Sequence, residues 1–422
     1  MKDIILLAKD ENGLTDEQIR QALAQMLEQA DTSEQTLILP PDATRLHSYA
    51  GNITNYLYHM LGGNAQIMPA LGTHQPMEND QLSAFFGDIP ADKFVVHNWR
   101  DDVETVGQIP AEFVEQVSGG IMDCEIQVEI NRRLLDPKNR LIVSVGQVVP
   151  HEIAGMANFT KNIVVGCGGK DIISKSHMLG AMYGMERLMG RADTPVRLVF
   201  DCAQENFLAD LPIVHVLTVT TNTENGVVVH GLYIGTDKRV FLEAVRQSQQ
   251  KNMTFMKQPF SKVVVYLDPE EFHSTWIGNK AIYRTRMAMA QGGELLILAP
   301  GVRHFGEDKQ NDRVIRQFGY MGRQRTLDLF KNDKILQENQ SVTAHLIHGS
   351  TDGKFSVTYA VEHLTQQELE SVGLKYTPYK QAAERYNPSV LKNGFNTMPD
   401  GEQIFYIDNP AIGLWALESD FA

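Results

Sequence analysis

LIVSVGQVVPHEIAGMANFTK, residues 141–161, decides how the chain is read. Its first part, Leu141 to Val149, is a short apolar run of strand type that ends directly in the polar PHEIAG. The same layout recurs elsewhere. PDATR (Pro41 to Arg45) follows TLIL, GTHQP (Gly72 to Pro76) follows QIM, and His97 ends FVVH. Open α/β sheets bind ligands in the crevice beyond the carboxyl ends of their strands, so polar motifs at strand ends are the natural place to look for a site.

Working outward, apolar runs alternate with amphipathic stretches, which predicts an α/β protein with a largely parallel or mixed sheet. Strands are expected at Thr36 to Pro40, Gln66 to Met68, Phe94 to Val96, Leu141 to Val149, Val196 to Asp201, Ile213 to Val219, Val227 to Ile234, Lys262 to Leu267 and Glu294 to Ala299. Thr15 with Gln18 makes a capping box, and Ile19, Leu23, Met26 and Leu27 then repeat at helical spacing. The length of 422 residues exceeds what one core usually serves, so two α/β domains are expected. The polar stretch Lys251 to Ser261, with Pro259, suggests the division: an N-terminal domain over 1–255, to which 400–422 returns, and a C-terminal domain over 256–399.

Composition narrows the function. Hydrophobic residues at 43% and charged residues at 21% are those of a folded globular chain. A net charge of -14 without clustered Lys and Arg argues against nucleic acid and for a small-molecule partner. Cys124, Cys167 and Cys202 are too scattered for a disulfide scaffold or a CxxC metal site. The apolar run in MKDIILLAKDE is too short for a signal peptide, and no stretch approaches a membrane span, so a cytoplasmic protein is expected.

Three common sites fail on spacing. HEIAG opens like the zinc motif HExxH, but Gly155 stands where the second histidine belongs. GCGGKD (Gly166 to Asp171) would need Gly at Val164 and Ser or Thr at Asp171 to be a phosphate loop. No GxGxxG follows a strand, so a bound dinucleotide of the Rossmann type has no support.

His97, His151, Lys161 and His177, with PDATR and GTHQP, resemble the lactate racemase family. The step of ten residues from His151 to Lys161 and of sixteen from Lys161 to His177 both match its pattern. The resemblance implies two α/β domains with an interdomain cleft holding a nickel-pincer nucleotide, a pyridinium mononucleotide joined to lysine as a thioamide. Nickel is then held by sulfur, carbon, sulfur and one histidine nitrogen, a donor set suited to tetragonal Ni(II). On this resemblance Lys161 is the covalent anchor and His177 the nickel ligand, while His97 and His151 are the acid/base pair for a 2-hydroxy acid passing through a 2-keto acid. It also implies partner enzymes that supply the cofactor. Asp42, Arg45, Thr73 and His74 would face the cofactor, Arg45 also the substrate carboxylate.

Each residue alone has a plainer reading: a structural histidine, a solvated lysine, or for Asp42 a turn in which the carboxylate bonds its own backbone. The chain also departs from the family. Gln75 stands where Arg is frequent, and Met156, Ala157, Asn158 and Phe159 replace small residues, bulk expected to reshape the pocket wall. Where the family presents Gln and Lys to substrate, this chain has IGNKAIYRTRMAMA (Ile277 to Ala290), in which Arg284 or Arg286 is either a carboxylate fork or part of a solvated basic face. That favours a larger polar acid such as gluconate over lactate, with His273, Asn279 and His304 in regions that could meet extra hydroxyls. A short 2-hydroxy acid, a non-catalytic nickel or nucleotide binder, and a three-histidine zinc hydrolase or lyase stay open as alternatives.

Overall fold

The run at Leu141 becomes an interior strand of a six-stranded sheet in a computed structural model of the protein, which describes residues 1–223, 226–411 and 413–421. The chain divides into two α/β units, one of residues 1–179 and 188–252, the other of 180–187 and 253–422.

In the first unit the strands are β1 (Ile4–Leu7), β2 (Gln35–Leu39), β3 (Ala65–Ile67), β4 (Val103–Ile109), β5 (Ile126–Asn131), β6 (Asn139–Gln147), β7 (Pro150–His151), β8 (Gly155–Met156), β9 (Ile213–Thr223) and β10 (Gly226–Gly235). The main sheet has the order β1-β10-β9-β6-β2-β3. β9, β6, β2 and β3 run parallel, while β1 and β10 close one side antiparallel. β6 is buried along nearly its whole length, as a continuous apolar run between parallel neighbours requires. One sheet face packs Ile38, Val143 and Val216 against Ile19, Leu23, Ile53 and Leu57 of the helices Asp16–Glu28 and Ala50–Met60. The other packs Leu37, Leu39 and Ile142 against Ile163 and Cys167. The capping box forms as expected: Gln18 N donates to Thr15 Oγ1 at 3.3 Å and Thr15 N to Gln18 Oε1 at 2.9 Å.

Two expected strands are not strands. Val196 to Asp201 lies inside the helix Pro195–Phe207. Thr194 caps it by accepting from Arg197 N, Pro195 occupies its first turn, and Val196, Val199, Phe200 and Ala203 bury at helical spacing, so cap and period override the β-branched composition. Phe94 makes only a single bridge to Ile67.

The second unit carries β11 (Met253–Met256), β12 (Phe260–Tyr266), β13 (Met289–Leu298), β14 (Phe355–Val361), β15 (Lys375–Pro378), β16 (Gly394–Thr397), β17 (Gln403–Ile407) and β18 (Leu414–Leu417). Its sheet runs β15-β14-β13-β12-β17-β16, parallel except for β16. The expected return of 400–422 to the first domain is therefore corrected: β17 inserts beside β12, and β18 pairs with β11, both within the second unit.

IGNKAIYRTRMAMA also folds differently from a solvated basic helix. It passes through the short helices Thr275–Gly278 and Lys280–Thr285 and then enters β13, with Arg284 at 0% and Arg286 at 6% exposure. Arg286 donates to Glu186 Oε1 at 2.6 Å and to the carbonyls of His348 at 3.0 Å and Ser350 at 3.3 Å, so its donors serve the fold of this unit. Arg286→Ala leaves those acceptors unmet and is expected to lower unfolding free energy by about 2–3 kcal/mol in a urea titration. Asn279 is likewise committed, accepting from Tyr359 Oη at 2.7 Å in the core. Among the described residues no helix is long and apolar enough to cross a membrane.

Candidate functional site

Because β2, β3 and β6 are parallel, the loops leaving their carboxyl ends emerge on one edge of the first sheet. PDATR and GTHQP are bound together there. Asp42 caps the 3-10 helix Ala43–Ser48, its Oδ1 accepting from Thr44 N at 3.1 Å and Thr44 Oγ1 at 2.6 Å, and its Oδ2 meets His74 Nδ1 at 2.5 Å. The turn reading and the functional reading of Asp42 thus coexist. Burial alone would raise this carboxyl, but His74, Thr44 and Arg45 outweigh it and bring the pKa down to about 2. A depressed carboxyl stabilises the fold above its ordinary pKa and loses that contribution as pH falls through the folded value. Asp42→Asn is therefore expected to cost about 1–2 kcal/mol at pH 7, the difference from the unaltered protein shrinking between about pH 4 and pH 2 in denaturant titrations. Gly72, at φ +57°, lets the second loop turn so that its N–H donates to Gly166 O at 2.9 Å. Thr73 is half-buried beside it, and Gln75 is exposed.

His151 lies in the two-residue β7, 6% exposed. Its Nδ1 accepts from Ile153 N at 3.1 Å, which places the proton of the neutral ring on Nε2, and Glu152 Oε2 lies 4.0 Å from Nδ1. Residues 156–159 are all buried, and Asn158 and Phe159 hold positive φ values of 64° and 58°. The bulk expected to reshape a pocket wall instead enters the core, where the Phe159 ring stacks on Phe241 at 5.1 Å and meets His215 at 4.4 Å. Two non-glycine residues in that region cost about 1–3 kcal/mol each, so the surrounding structure must hold them.

Lys161 follows in the helix Thr160–Val164, half-buried, with no hydrogen bond or ion pair on its amine among the described residues. Burial, then the Arg45 and Arg197 charges, lower its pKa to about 8 against the opposite pull of Glu152 and Asp42. His177 lies in the helix Lys170–Tyr183 and donates Nδ1–H to Ile173 O at 2.6 Å. That bond fixes the tautomer and leaves the Nε2 lone pair as the one that could ligate a metal. Burial and the Lys161 charge lower its pKa to about 4, so the ring is neutral at pH 7. One imidazole lone pair and one amine that is readily neutralised are the protein groups a lysine-anchored nickel-pincer nucleotide needs, and these residues fit it. Among the described residues no group of three or more His, Cys, Asp and Glu could hold a metal ion, so the three-histidine zinc alternative has no geometric basis.

His97 is bound on both sides. It is 2% exposed, its Nε2–H donates to Gly168 O at 3.1 Å and its Nδ1 accepts from Asn131 Nδ2 at 2.9 Å. Burial, against the Gly168 bond, lowers its pKa to about 4. Asn131 escaped the sequence reading because nothing in IQVEIN distinguishes it from a strand-end polar residue. Arg197 carries no signal in a segment of strand-like composition; in the helix Pro195–Phe207 it is an arginine among buried apolar positions.

Residues 6–189 match the lactate racemase N-terminal domain family. Among solved structures, one from Thermotoga maritima superposes with a TM-score of 0.83 at 24% identity over 98% of this chain and 100% of that one. The lactate racemase apoprotein from Thermoanaerobacterium thermosaccharolyticum superposes with a TM-score of 0.67 at 16% identity, over 96% of this chain and 90% of that one. At such identities the likeness speaks for the fold. No curated protein sequence matches the chain.

Proposed function

We propose that the protein is an isomerase, a racemase or 2-epimerase of a 2-hydroxy acid, using a nickel-pincer nucleotide anchored on Lys161 and ligated through His177 Nε2. The observation that carries this is an amine with no hydrogen bond or ion pair among the described residues, together with an imidazole whose Nδ1 is already committed to Ile173 O. When bound, the nucleotide supplies a reversible hydride acceptor, which interconverts the 2-hydroxy acid and its 2-keto acid. Arg45, whose side chain makes no hydrogen bond or ion pair among the described residues, and Thr73 and His74 hold the nucleotide's phosphate edge or the substrate carboxylate. His151 and His97 hold and return the hydroxyl proton. To change protonation each must exchange a present ring bond, His151 that from Ile153 N and His97 that with Asn131 or Gly168. Arg284, fully buried in the second unit, is kept as a proposed carboxylate donor, whereas Arg286 is engaged elsewhere. A larger polar acid such as gluconate is the preferred substrate, lactate or another short acid the alternative, and cofactor-supplying enzymes are the implied partners.

A second reading, a nickel and nucleotide binder without turnover, is favoured by one observation, the doubly bonded and buried His97. The deciding experiment is intact mass, nickel content and peptide mapping of protein from a host that makes the nucleotide, followed by chiral assays on gluconate, lactate and related acids. An adduct on Lys161 with nickel and stereochemical turnover supports the isomerase; adduct and nickel without turnover supports the binder; bare Lys161 in a host that loads a known racemase removes both. His177→Ala is expected to cut nickel occupancy at least tenfold with the fold intact by circular dichroism, since the protein's one imidazole donor is lost.

A further inference from the structure

We infer that Arg197 is a positioning residue whose buried guanidinium holds the 156–160 backbone in the turn that aims Lys161. This rests on reading Lys161 as the anchor. Arg197 is 0% exposed, and its guanidinium bonds run to one segment: Nη2 donates to Met156 O at 2.7 Å, and Nη1 donates to Asn158 O at 3.1 Å and Thr160 Oγ1 at 2.7 Å. These three acceptors bracket Asn158 and Phe159, the two residues in the left-handed region immediately before the helix that carries Lys161.

The clamp is itself braced. Thr160 Oγ1 accepts from Arg197 and donates to Asp201 Oδ1 at 2.7 Å, and Asp201 Oδ2 pairs with Lys238 Nζ at 2.5 Å. The guanidinium also lies 4.6 Å from the centre of the Phe241 ring, on which Phe159 stacks. On the other side of the anchor, Asn162 Nδ2 donates to Leu39 O at 3.0 Å and Ser144 Oγ at 2.9 Å. Lys161 thus sits between two polar fastenings while its own amine makes no hydrogen bond or ion pair among the described residues. Arginine suits the first because a rigid fork can satisfy several carbonyl and hydroxyl acceptors at once, and lysine cannot. A buried charge is expensive to keep for packing alone, and here its donors go to the segment that carries the consecutive left-handed residues Asn158 and Phe159.

The test reads the position of Lys161 in cofactor-free full-length protein. Lys161 acylation by N-acetoxysuccinimide at pH 7.5 is followed by peptide mapping and normalised to the other lysines, in Arg197→Lys and in Thr160→Val. A lysine released towards water regains an ordinary ammonium and reacts more slowly at this pH. Both variants are therefore expected to slow Lys161 by about tenfold for each unit its pKa returns towards the ordinary lysine value, with the other lysines unchanged. If Arg197→Lys does not fold, Thr160→Val carries the test, since it removes one hydroxyl and keeps every charge. Lys161 rates equal to the unaltered protein's, together with a lowered melting temperature, would assign Arg197 to core stability alone and overturn the inference. Bare Lys161 in the loading experiment, with an acylation rate that still falls in these variants, would remove the cofactor reading and leave the positioning role standing.

Discussion

Lys161→Met is expected to abolish the covalent nucleotide adduct and at the same time to raise the melting temperature at pH 7. The first effect follows from chemistry: thioamide formation needs an amine nucleophile at this position. The second follows from linkage. The folded chain holds the Lys161 ammonium at a pKa of about 8, below the ordinary lysine value, because burial and the Arg45 charge disfavour it. A depressed lysine destabilises the fold at every pH where both folded and unfolded forms would be protonated, and that penalty is relieved as pH rises from the folded pKa to the unfolded one. Methionine keeps the stem packing and removes the charge. Its gain should accordingly be largest below about pH 8 and fade by about pH 10. Scanning calorimetry of the cofactor-free proteins across that range checks the sign, and a variant less stable than the parent at pH 7 would show that Lys161 has a stabilising partner. The same depressed pKa makes attachment pH-dependent: below about 8 the neutral amine falls tenfold per unit, so loading should slow in proportion. A group that weakens its own fold in order to be reactive is characteristic of functional sites.

How far the sequence discloses this depends on the residue. β6 is readable because the mostly apolar stretch from Leu141 to Val149 leaves few alternatives, and the Thr15 cap because its signal is local. The loops beyond β2, β3 and β6 were readable for the same reason: each begins where an apolar run stops. What escaped was set by contacts distant in sequence. Val196 to Asp201 has strand-like composition, yet the cap at Thr194 and the packing of Phe200 and Ala203 make it a helix, and only then does Arg197 face the segment before Lys161. The strand Gln403–Ile407 carries no mark of which sheet it joins; pairing with β12 decides that. Arg286 reads as a surface charge by composition and is buried by its bond to Glu186, a hundred residues away in sequence. In the site itself, the family-like spacing points to Lys161 and His177, but the tautomer that would let His177 Nε2 act as a ligand depends on Ile173 O, and nothing short of the helix geometry supplies it.

His151→Asn and His97→Gln separate catalysis from support at the two remaining histidines. An asparagine oxygen at position 151 can still accept from Ile153 N, and a glutamine amide at position 97 can still donate to Gly168 O, so each variant keeps a bond of the parent ring and loses only its titration. General acid/base catalysis by one side chain is worth about 10²–10⁴ in rate. His151→Asn is expected to lower turnover in both stereochemical directions by that factor with nickel and adduct retained. His97→Gln is the sharper experiment, because His97 as folded has no ring nitrogen to spare. An equal loss, with unchanged melting temperature, would mean that Asn131 or Gly168 releases the ring when substrate binds. Turnover kept within about tenfold would make His97 a brace for the Asn131 and Gly168 backbone and leave His151 with both proton steps. In that case proton return to the two faces of the 2-keto acid would have to be gated by reorientation of the substrate against a single histidine. Solvent-deuterium isotope effects would then be the same in both directions, whereas two unlike histidines, one bonded to a backbone amide and the other to an amide side chain and a carbonyl, should give unequal ones.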